Sequence, residues 1–370
     1  MKVLSVVGAR PNFMKIAPII KAFKECRGVK HVLVHTGQHY DTKMSKLFFD
    51  ELNIPKPDVN LAVRSGNRTK QINEMIGKLQ KVMAKHKPDL VIVVGDVNST
   101  LAGSLVAAKM DIPLAHVEAG LRSFDNTMPE EINRVMSDGL ADILFTTCQD
   151  ANKHLIREGI LQRRIFFEGN VMIDALKANQ KKASKSQVLR KLKLKDKDYV
   201  LVTLHRPENV DKKQTLIKVF NILGELQEKM TVVFPVHPRT QKSITRYIGQ
   251  KRLKRMKNIK MIAPLGYLDF LHLMTKAKVV VTDSGGVQEE TTVLKVPCLT
   301  VRNNTERPVT IKEGTNQLVG LRKKRILDAV DKIIMKKPSK SRIPKFWDGK
   351  TANRIVKVLT RLNKEGGLKL

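Results

Sequence analysis

Short apolar runs closed by glycine or polar residues alternate with longer stretches whose apolar positions recur every three to four residues. Runs of the first kind suit strands buried on both faces, and the longer stretches suit amphipathic helices. The pattern predicts strands at Lys2–Val7, Lys30–Thr36, Leu90–Val94, Leu114–Glu118 and Ile143–Thr146, with a short one near Ile165, each followed by a helix candidate. A basic, polar stretch without a strand, Lys177–Lys197, interrupts the series. Strands then resume at Tyr199–Leu204, Thr231–Val236, Lys260–Ile262, Lys278–Thr282 and Pro297–Val301. Alternation of this kind builds parallel sheets covered by helices. The fold class is therefore α/β, with two doubly wound Rossmann-like domains. The expected division is 1–174 and 175–351, with a C-terminal helix at about 352–370 packing back on the first domain.

Composition narrows the function. At 370 residues, 42% of them hydrophobic, the chain has length for two cores. Lysine and arginine total 69 against 35 acids, a net charge of +34, which would attract nucleic acid, acidic membranes or phosphorylated ligands. The lysines are spread over segments that read as solvated surface, and aromatic residues are only 5% of the chain, too few for base-stacking platforms. Neither a nucleic-acid nor a membrane partner is expected. No apolar run approaches the roughly 18 residues of a membrane span. The N-terminal run Val3–Gly8 is cut short by Arg10 and Pro11, unlike a signal peptide, so a cytoplasmic location is expected. Cys26, Cys148 and Cys298 are widely spaced and read as reduced, structural thiols.

Ligands of open parallel sheets bind beyond the carboxyl ends of the strands, and polar residues are dense there. The stretch TDSGGVQEE follows the apolar run Val279–Val281 and opens a helix. Its unpaired amides and the helix dipole suit a phosphate on Ser284, Gly285 and Gly286, with Glu290 one to two turns on, within reach of a ribose. An ordinary glycine-rich strand-to-helix turn is the competing reading. Asp96 follows a strand in DLVIVVGDVNST, where an N-cap is the plainer role. His116, Glu118 and Arg122 end the next strand, and Pro129, Glu130, Glu131, Asn133 and Arg134 follow in a loop. Structural ion pairs, Glu118 with Arg122 or Glu130 with Arg134, compete with a catalytic carboxylate cluster. In the second half His205, Arg206 and His237 take equivalent strand-end positions. Arg10, Lys15 and Arg307 suit a diphosphate. The histidines and acids lack the close spacing of a zinc site, no nucleophile motif is present, and GxGxxG is absent after the first strand. Neither a metal nor a nicotinamide cofactor is expected.

In order, GARPNFMK, GDVNST, HVEAGLRS, PEEINR, HRPEN, PVHP, TDSGGVQEE and NNTERP resemble the non-hydrolysing UDP-N-acetylglucosamine 2-epimerase family over nearly the whole chain. The resemblance implies a fold similar to two-domain sugar-nucleotide glycosyltransferases (GT-B-like), an active site in the interdomain cleft, a homodimer and no cofactor. It implies interconversion of UDP-N-acetylglucosamine and UDP-N-acetylmannosamine, which commonly feeds surface polysaccharide or glycan synthesis. Carried over, it puts the diphosphate on Arg10, Lys15, Ser284 and Gly285, beside Gly286, the ribose on Glu290 with Arg307 and His237 in the ligand site, and the uracil against Phe270. Asp96, Glu118, Glu130 and His205 match catalytic positions, and Gln38, His39 and Arg64 partly resemble an activator site. Two positions depart from the family: Leu265, where some members have a glutamine contacting the base, and Asp41, where some activated members have glutamine.

The implied chemistry explains these residue types. Carbon 2 carries a hydrogen that no adjacent carbonyl acidifies, so inversion there proceeds by expulsion of UDP from carbon 1 to give an enzyme-bound 2-acetamidoglucal, followed by re-addition. Such an elimination calls for a carboxylate base, cations on the departing diphosphate and stabilisation of oxocarbenium-like charge. The acid, base and stabiliser roles stay open among Asp96, Glu118 and Glu130. A glycosyltransferase of the same architecture would share the phosphate loop and ribose glutamate but would not need three sugar-side carboxylates. A hydrolysing epimerase would release free N-acetylmannosamine, and a polyanion binder would show steep salt dependence without affinity for a sugar nucleotide.

Overall fold

A computed structural model of the protein describes residues 1–38, 51, 54–63, 66–335 and 341–370, Arg10 in its backbone only. Thirteen strands are present among these: β1 Lys2–Val7, β2 Lys30–His35, β3 Val59–Asn60, β4 Leu90–Val94, β5 Leu114–Ala119, β6 Ile143–Thr146, β7 Ile165–Phe167, β8 Tyr199–Thr203, β9 Thr231–Pro235, β10 Ile259–Ile262, β11 Val279–Thr282, β12 Cys298–Thr300 and β13 Asn316–Leu318. They form two parallel sheets, ordered β3-β2-β1-β4-β5-β6-β7 and β10-β9-β8-β11-β12-β13. Both are doubly wound, and the order reverses between β1 and β4 and between β8 and β11. Those reversals are where crossover helices diverge to opposite faces and leave a crevice for ligand. The sequence pattern did not predict β3 and β13, which are two- and three-residue edge strands without an apolar run.

The chain divides into two compact units, Met1–Ala178 with Lys345–Leu370, and Asn179–Pro344. In the first, β4 is buried along its whole length, as a central strand between two helical layers must be. The helix Arg68–His86 buries Gln71, Met75, Leu79 and Met83, one residue every turn, against that sheet. Each such Met or Leu contributes about 1.5–3 kcal/mol relative to exposure. Asn67 accepts from the amides of Thr69 and Lys70 to start the helix, and Lys87, left-handed at φ +45°, ends it. The second unit has its own core, with Val200, Val202, Phe234, Val279 and Val281 of the sheet packed against Leu216, Phe220 and Leu223 of the helix Lys213–Lys229.

The C-terminal helix Thr351–Lys364 returns to the first unit, packing on the helix Arg10–Lys24. Asp174 accepts from the amides of Thr351 at 3.1 Å and Ala352 at 2.7 Å, closing the first turn. Trp347, fully buried, donates its indole N–H to the carbonyl of Thr147 at 2.9 Å. These polar anchors add to an apolar face of the same helix, on which Ala352, Ile355, Val356, Leu359 and Leu362 are buried.

Candidate functional site

In the first unit the polar residues converge at the carboxyl ends of β4 and β5, beside the reversal in strand order. Gly95 follows the strand at φ +67°, a left-handed conformation that favours glycine, and a Cβ there would stand 2.8 Å from Nζ of Lys15 and push the ammonium aside. Lys15, buried in the helix Arg10–Lys24, pairs with Oε1 of Glu118 at 2.8 Å. Glu118 stands at a break in the register between β5 and β6 and has φ +76°, a conformation that costs a residue with a side chain of order 1–3 kcal/mol.

Asp96 lies just beyond β4, half-buried. Arg134 forks between Asp96 and Glu131, one ion pair from each terminal nitrogen, and Asn133 donates to the Asp96 carbonyl at 2.9 Å. Glu131 also accepts from the amides of Ser123 and Phe124, which pins the loop after β5. Residues read from sequence as a loop are thus the first turns of a helix, Pro129–Leu140, with Glu130 half-buried in its first turn. Neither competing ion pair is formed. Arg122 pairs with Asp138 and Glu158, Glu118 with Lys15, and Arg134 with Asp96 and Glu131. Asp96 does not cap the helix Asn98–Lys109, whose N-cap is Val97. His116 is fully buried between Asp138, at 2.6 Å, and the carbonyl of Gly95, at 2.8 Å, so it braces the strand ends rather than facing a ligand.

The second unit repeats the arrangement at β8 and β11. Because Thr203 registers with Thr282, the residues that follow each strand lie side by side. Asp283, fully buried, accepts from the amides of His205 and Arg206, from Asn209 and from Nδ1 of His205 at 3.1 Å. These donors hold its carboxyl below the usual range against the opposing effect of burial. The His205 side chain is 42% exposed, and its ring centroid lies 5.6 Å from that of His237. His237 accepts from the amide of Arg239 through Nδ1, capping the helix Pro238–Tyr247.

The helix Gly285–Leu294 follows β11 with Ser284 at its N-cap; the Ser284 amide donates to the Thr282 hydroxyl at 3.0 Å, and the Ser284 side chain makes no cap hydrogen bond to the amides of the first turn. A Cβ on Gly285 would meet Nη1 of Arg307 at 2.5 Å. The guanidinium packs directly on that glycine and pairs with Glu289 at 2.9 Å and Glu306 at 3.5 Å. Ser284, Gly285 and Gly286 are half-buried, as a binding loop requires. Glu290 is buried and accepts from the hydroxyl of Tyr267 at 2.9 Å. Burial pushes its pKa up to about 7, the Tyr267 bond opposing and the neighbouring Glu289 charge adding to the rise. Phe270 and Leu265 are half-buried, Phe270 in the helix Tyr267–Lys276.

Asp283 and Tyr267 are functional candidates that the sequence pattern does not single out. Asp283 ends the strand that neighbours the one leading to His205, a signal readable only once strand order is known. Nothing local marked Tyr267. Of the implied activator residues, Gln38 is buried and accepts from the amide and hydroxyl of Ser99. His39, Arg64 and the departing Asp41 lie outside the described residues, as does the side chain of Arg10. Among the described residues no group of three or more His, Cys, Asp or Glu is arranged to hold a metal ion.

Comparison with known proteins gives one consistent answer. A family profile described as UDP-N-acetylglucosamine 2-epimerase matches residues 21–360. A UDP-N-acetylglucosamine 2-epimerase of Methanocaldococcus jannaschii is 46% identical, over 97% of this chain and 99% of its own length. A UDP-2,3-diacetamido-2,3-dideoxy-D-glucuronate 2-epimerase of Pseudomonas aeruginosa is 38% identical, over 98% of this chain and all of the relative. Among solved structures, that of the M. jannaschii UDP-GlcNAc 2-epimerase in complex with UDP-GlcNAc and UDP superposes with a TM-score of 0.91 at 45% identity, covering 98% of this chain and 100% of that one.

Proposed function

The chain belongs to the UDP-N-acetylglucosamine 2-epimerase family, and on that premise we propose that it interconverts UDP-N-acetylglucosamine and UDP-N-acetylmannosamine without hydrolysis. One observation carries the choice of reaction. Asp96 and Glu118, at the ends of adjacent strands, are each locked by a cation of their own, Arg134 and Lys15. A transferase that only presents a UDP sugar to an acceptor has no use for two such preorganised carboxylates.

In this reading the second unit holds UDP. The Ser284 hydroxyl, the amides at Gly285 and Gly286 and the Arg307 guanidinium receive the diphosphate, aided by Arg10 and Lys15, Glu290 takes the ribose hydroxyls, Phe270 lines the uracil, and His237 adds a polar contact. One of Asp96, Glu118 and Glu130 removes the proton from carbon 2. Its bonding electrons form the carbon 1–carbon 2 double bond while the carbon 1–oxygen bond breaks and UDP departs with that pair, with His205 at the leaving oxygen. In reverse, the UDP oxygen adds to carbon 1 as a second carboxylic acid delivers a proton to the opposite face of carbon 2. Nothing is oxidised or reduced overall, and no water is consumed.

The test is proton NMR with UDP-N-acetylglucosamine in heavy water. Deuterium at carbon 2 with UDP-N-acetylmannosamine accumulating supports the proposal. Free N-acetylmannosamine would point to hydrolysis. An inert substrate, with UDP-2,3-diacetamido-glucuronate turned over instead, would move the assignment to the sugar of the P. aeruginosa relative.

A homodimer and a cytoplasmic location belong to the same reading. Residues 110–152 hold no lysine in a chain with net charge +34, and their two arginines, Arg122 and Arg134, are buried in ion pairs. Exposed Phe124, Ile132, Val135 and Met136 lie in that stretch, a face on which two like-charged copies meet without repulsion. Light scattering should give twice the chain mass, and a monomer at micromolar concentration would count against it. The location is supported by three cysteines that remain thiols, Cys148 and Cys298 of them buried.

A further inference from the structure

A carboxylate can only accept hydrogen bonds, so the nitrogen of His205 that faces Asp283 carries a proton. Three other donors, the amides of His205 and Arg206 and the Asn209 side chain, hold the carboxylate in place, and its carboxyl is fully buried. The ring therefore has one orientation, with Nε2 directed away from Asp283. His237, 5.6 Å away, is fixed in the opposite sense, since its Nδ1 accepts the Arg239 amide and its own proton sits on Nε2 while the ring is neutral. Two histidines at equivalent strand ends thus present unlike faces, one Nε2 that binds a proton and one Nε2–H that only donates.

We propose that Asp283 is the positioning residue of His205, holding it in the Nδ1–H tautomer so that Nε2 is the atom that serves the departing diphosphate. Nε2, left open toward the ligand by the Nδ1–H tautomer, first takes a proton from solvent; the ring shares that proton with the leaving oxygen when the carbon 1–oxygen bond breaks, and the proton returns to Nε2 when that bond re-forms. Asp283 stabilises the imidazolium and stays ionised throughout, the part a buried aspartate plays behind a catalytic histidine. The division of labour rests on the proposed role of His205 in epimerisation, whereas the tautomers do not depend on it.

Two measurements test the proposal separately from the reaction. In ligand-free protein labelled with nitrogen-15 histidine, with His205→Gln and His237→Gln used for assignment, two-bond proton–nitrogen spectra should give His205 a protonated Nδ1 and His237 a protonated Nε2. An Nε2–H tautomer for neutral His205 overturns the proposal, whatever the enzyme turns over. Asp283→Asn presents an amide donor to Nδ1 and should move the His205 proton to Nε2 and lower kcat by about 10²- to 10⁴-fold. UDP affinity by calorimetry should change less than about threefold, because the Ser284 hydroxyl, the Gly285 and Gly286 amides, Glu290 and Arg307 are untouched. An equal loss in UDP affinity and kcat would make Asp283 a merely structural residue. If Asp283→Asn fails to fold, the wild-type spectrum decides; if no UDP sugar is turned over but the tautomers are as stated, the assignment of the reaction falls and the positioning stands.

Discussion

The hydroxyl of Tyr267 donates to Oε1 of Glu290 across 2.9 Å, tying the helix after β10 to the helix after β11. Burial raises the Glu290 pKa to about 7, the Tyr267 bond lowers it and the Glu289 charge raises it. A ribose diol donates hydrogen bonds most strongly to the ionised carboxylate, so binding favours loss of the proton. UDP affinity should therefore rise with pH up to about 7 and then level off, with up to a tenfold loss per pH unit below that value. Calorimetry in buffers of different ionisation enthalpy checks it, because proton release must accompany binding near pH 6. Affinity that is flat from pH 5 to 8 would remove Glu290 from the ribose site.

Tyr267→Phe removes the one contribution that lowers the Glu290 pKa, so the inflection should move to higher pH. At pH 7 UDP should bind about 10- to 100-fold more weakly, the magnitude of a hydrogen bond to a charged group. The loss should shrink toward pH 9, where the carboxylate is ionised in both proteins.

Lys15 and Glu118 are both buried, so removing one strands the other. Glu118→Gln should lower stability by about 3–5 kcal/mol and abolish deuterium incorporation at carbon 2. Lys15→Met added to Glu118→Gln should recover most of the stability and none of the activity. Denaturant unfolding of the four proteins of the cycle measures the first, and the heavy-water assay the second.

Arg134 bridges Asp96 and Glu131 with separate nitrogens, a geometry lysine cannot reproduce. Arg134→Lys should lower kcat by about 10- to 100-fold with KM nearly unchanged, since ligand binding is assigned to other residues. Steady-state kinetics separates the two, and a raised KM with normal kcat would contradict the assignment.

A methyl group on Gly285 would displace the Arg307 guanidinium, a side-chain end that moves without unfolding the helix. Gly285→Ala should keep the thermal midpoint within a few degrees and weaken UDP about tenfold, roughly 1.4 kcal/mol. A midpoint drop with unchanged UDP affinity would make this glycine a packing residue only.

The sequence alone determined where along the chain the two sheets' central strands lie, because a buried parallel strand between helices must be a short continuous apolar run, and it placed Asp96, Glu118, His205 and Ser284 at strand ends. Family motifs spread over nearly the whole length named the chemistry. Tertiary structure decided which charges meet. Local spacing suggested Glu118 with Arg122 and Glu130 with Arg134, but the cations that lock Glu118 and Asp96 come from residues 103 and 38 positions away in the chain. Asp283 reaches His205 across 78 positions because β8 and β11 are neighbours in the sheet. Edge strands such as β3 and β13 bury too little to leave an apolar run in the sequence, and pairing alone defines them. Hydrophobic pattern is a property of each segment and is readable in one dimension, whereas the partner of a charge is set by strand order, which forms only when the sheet closes.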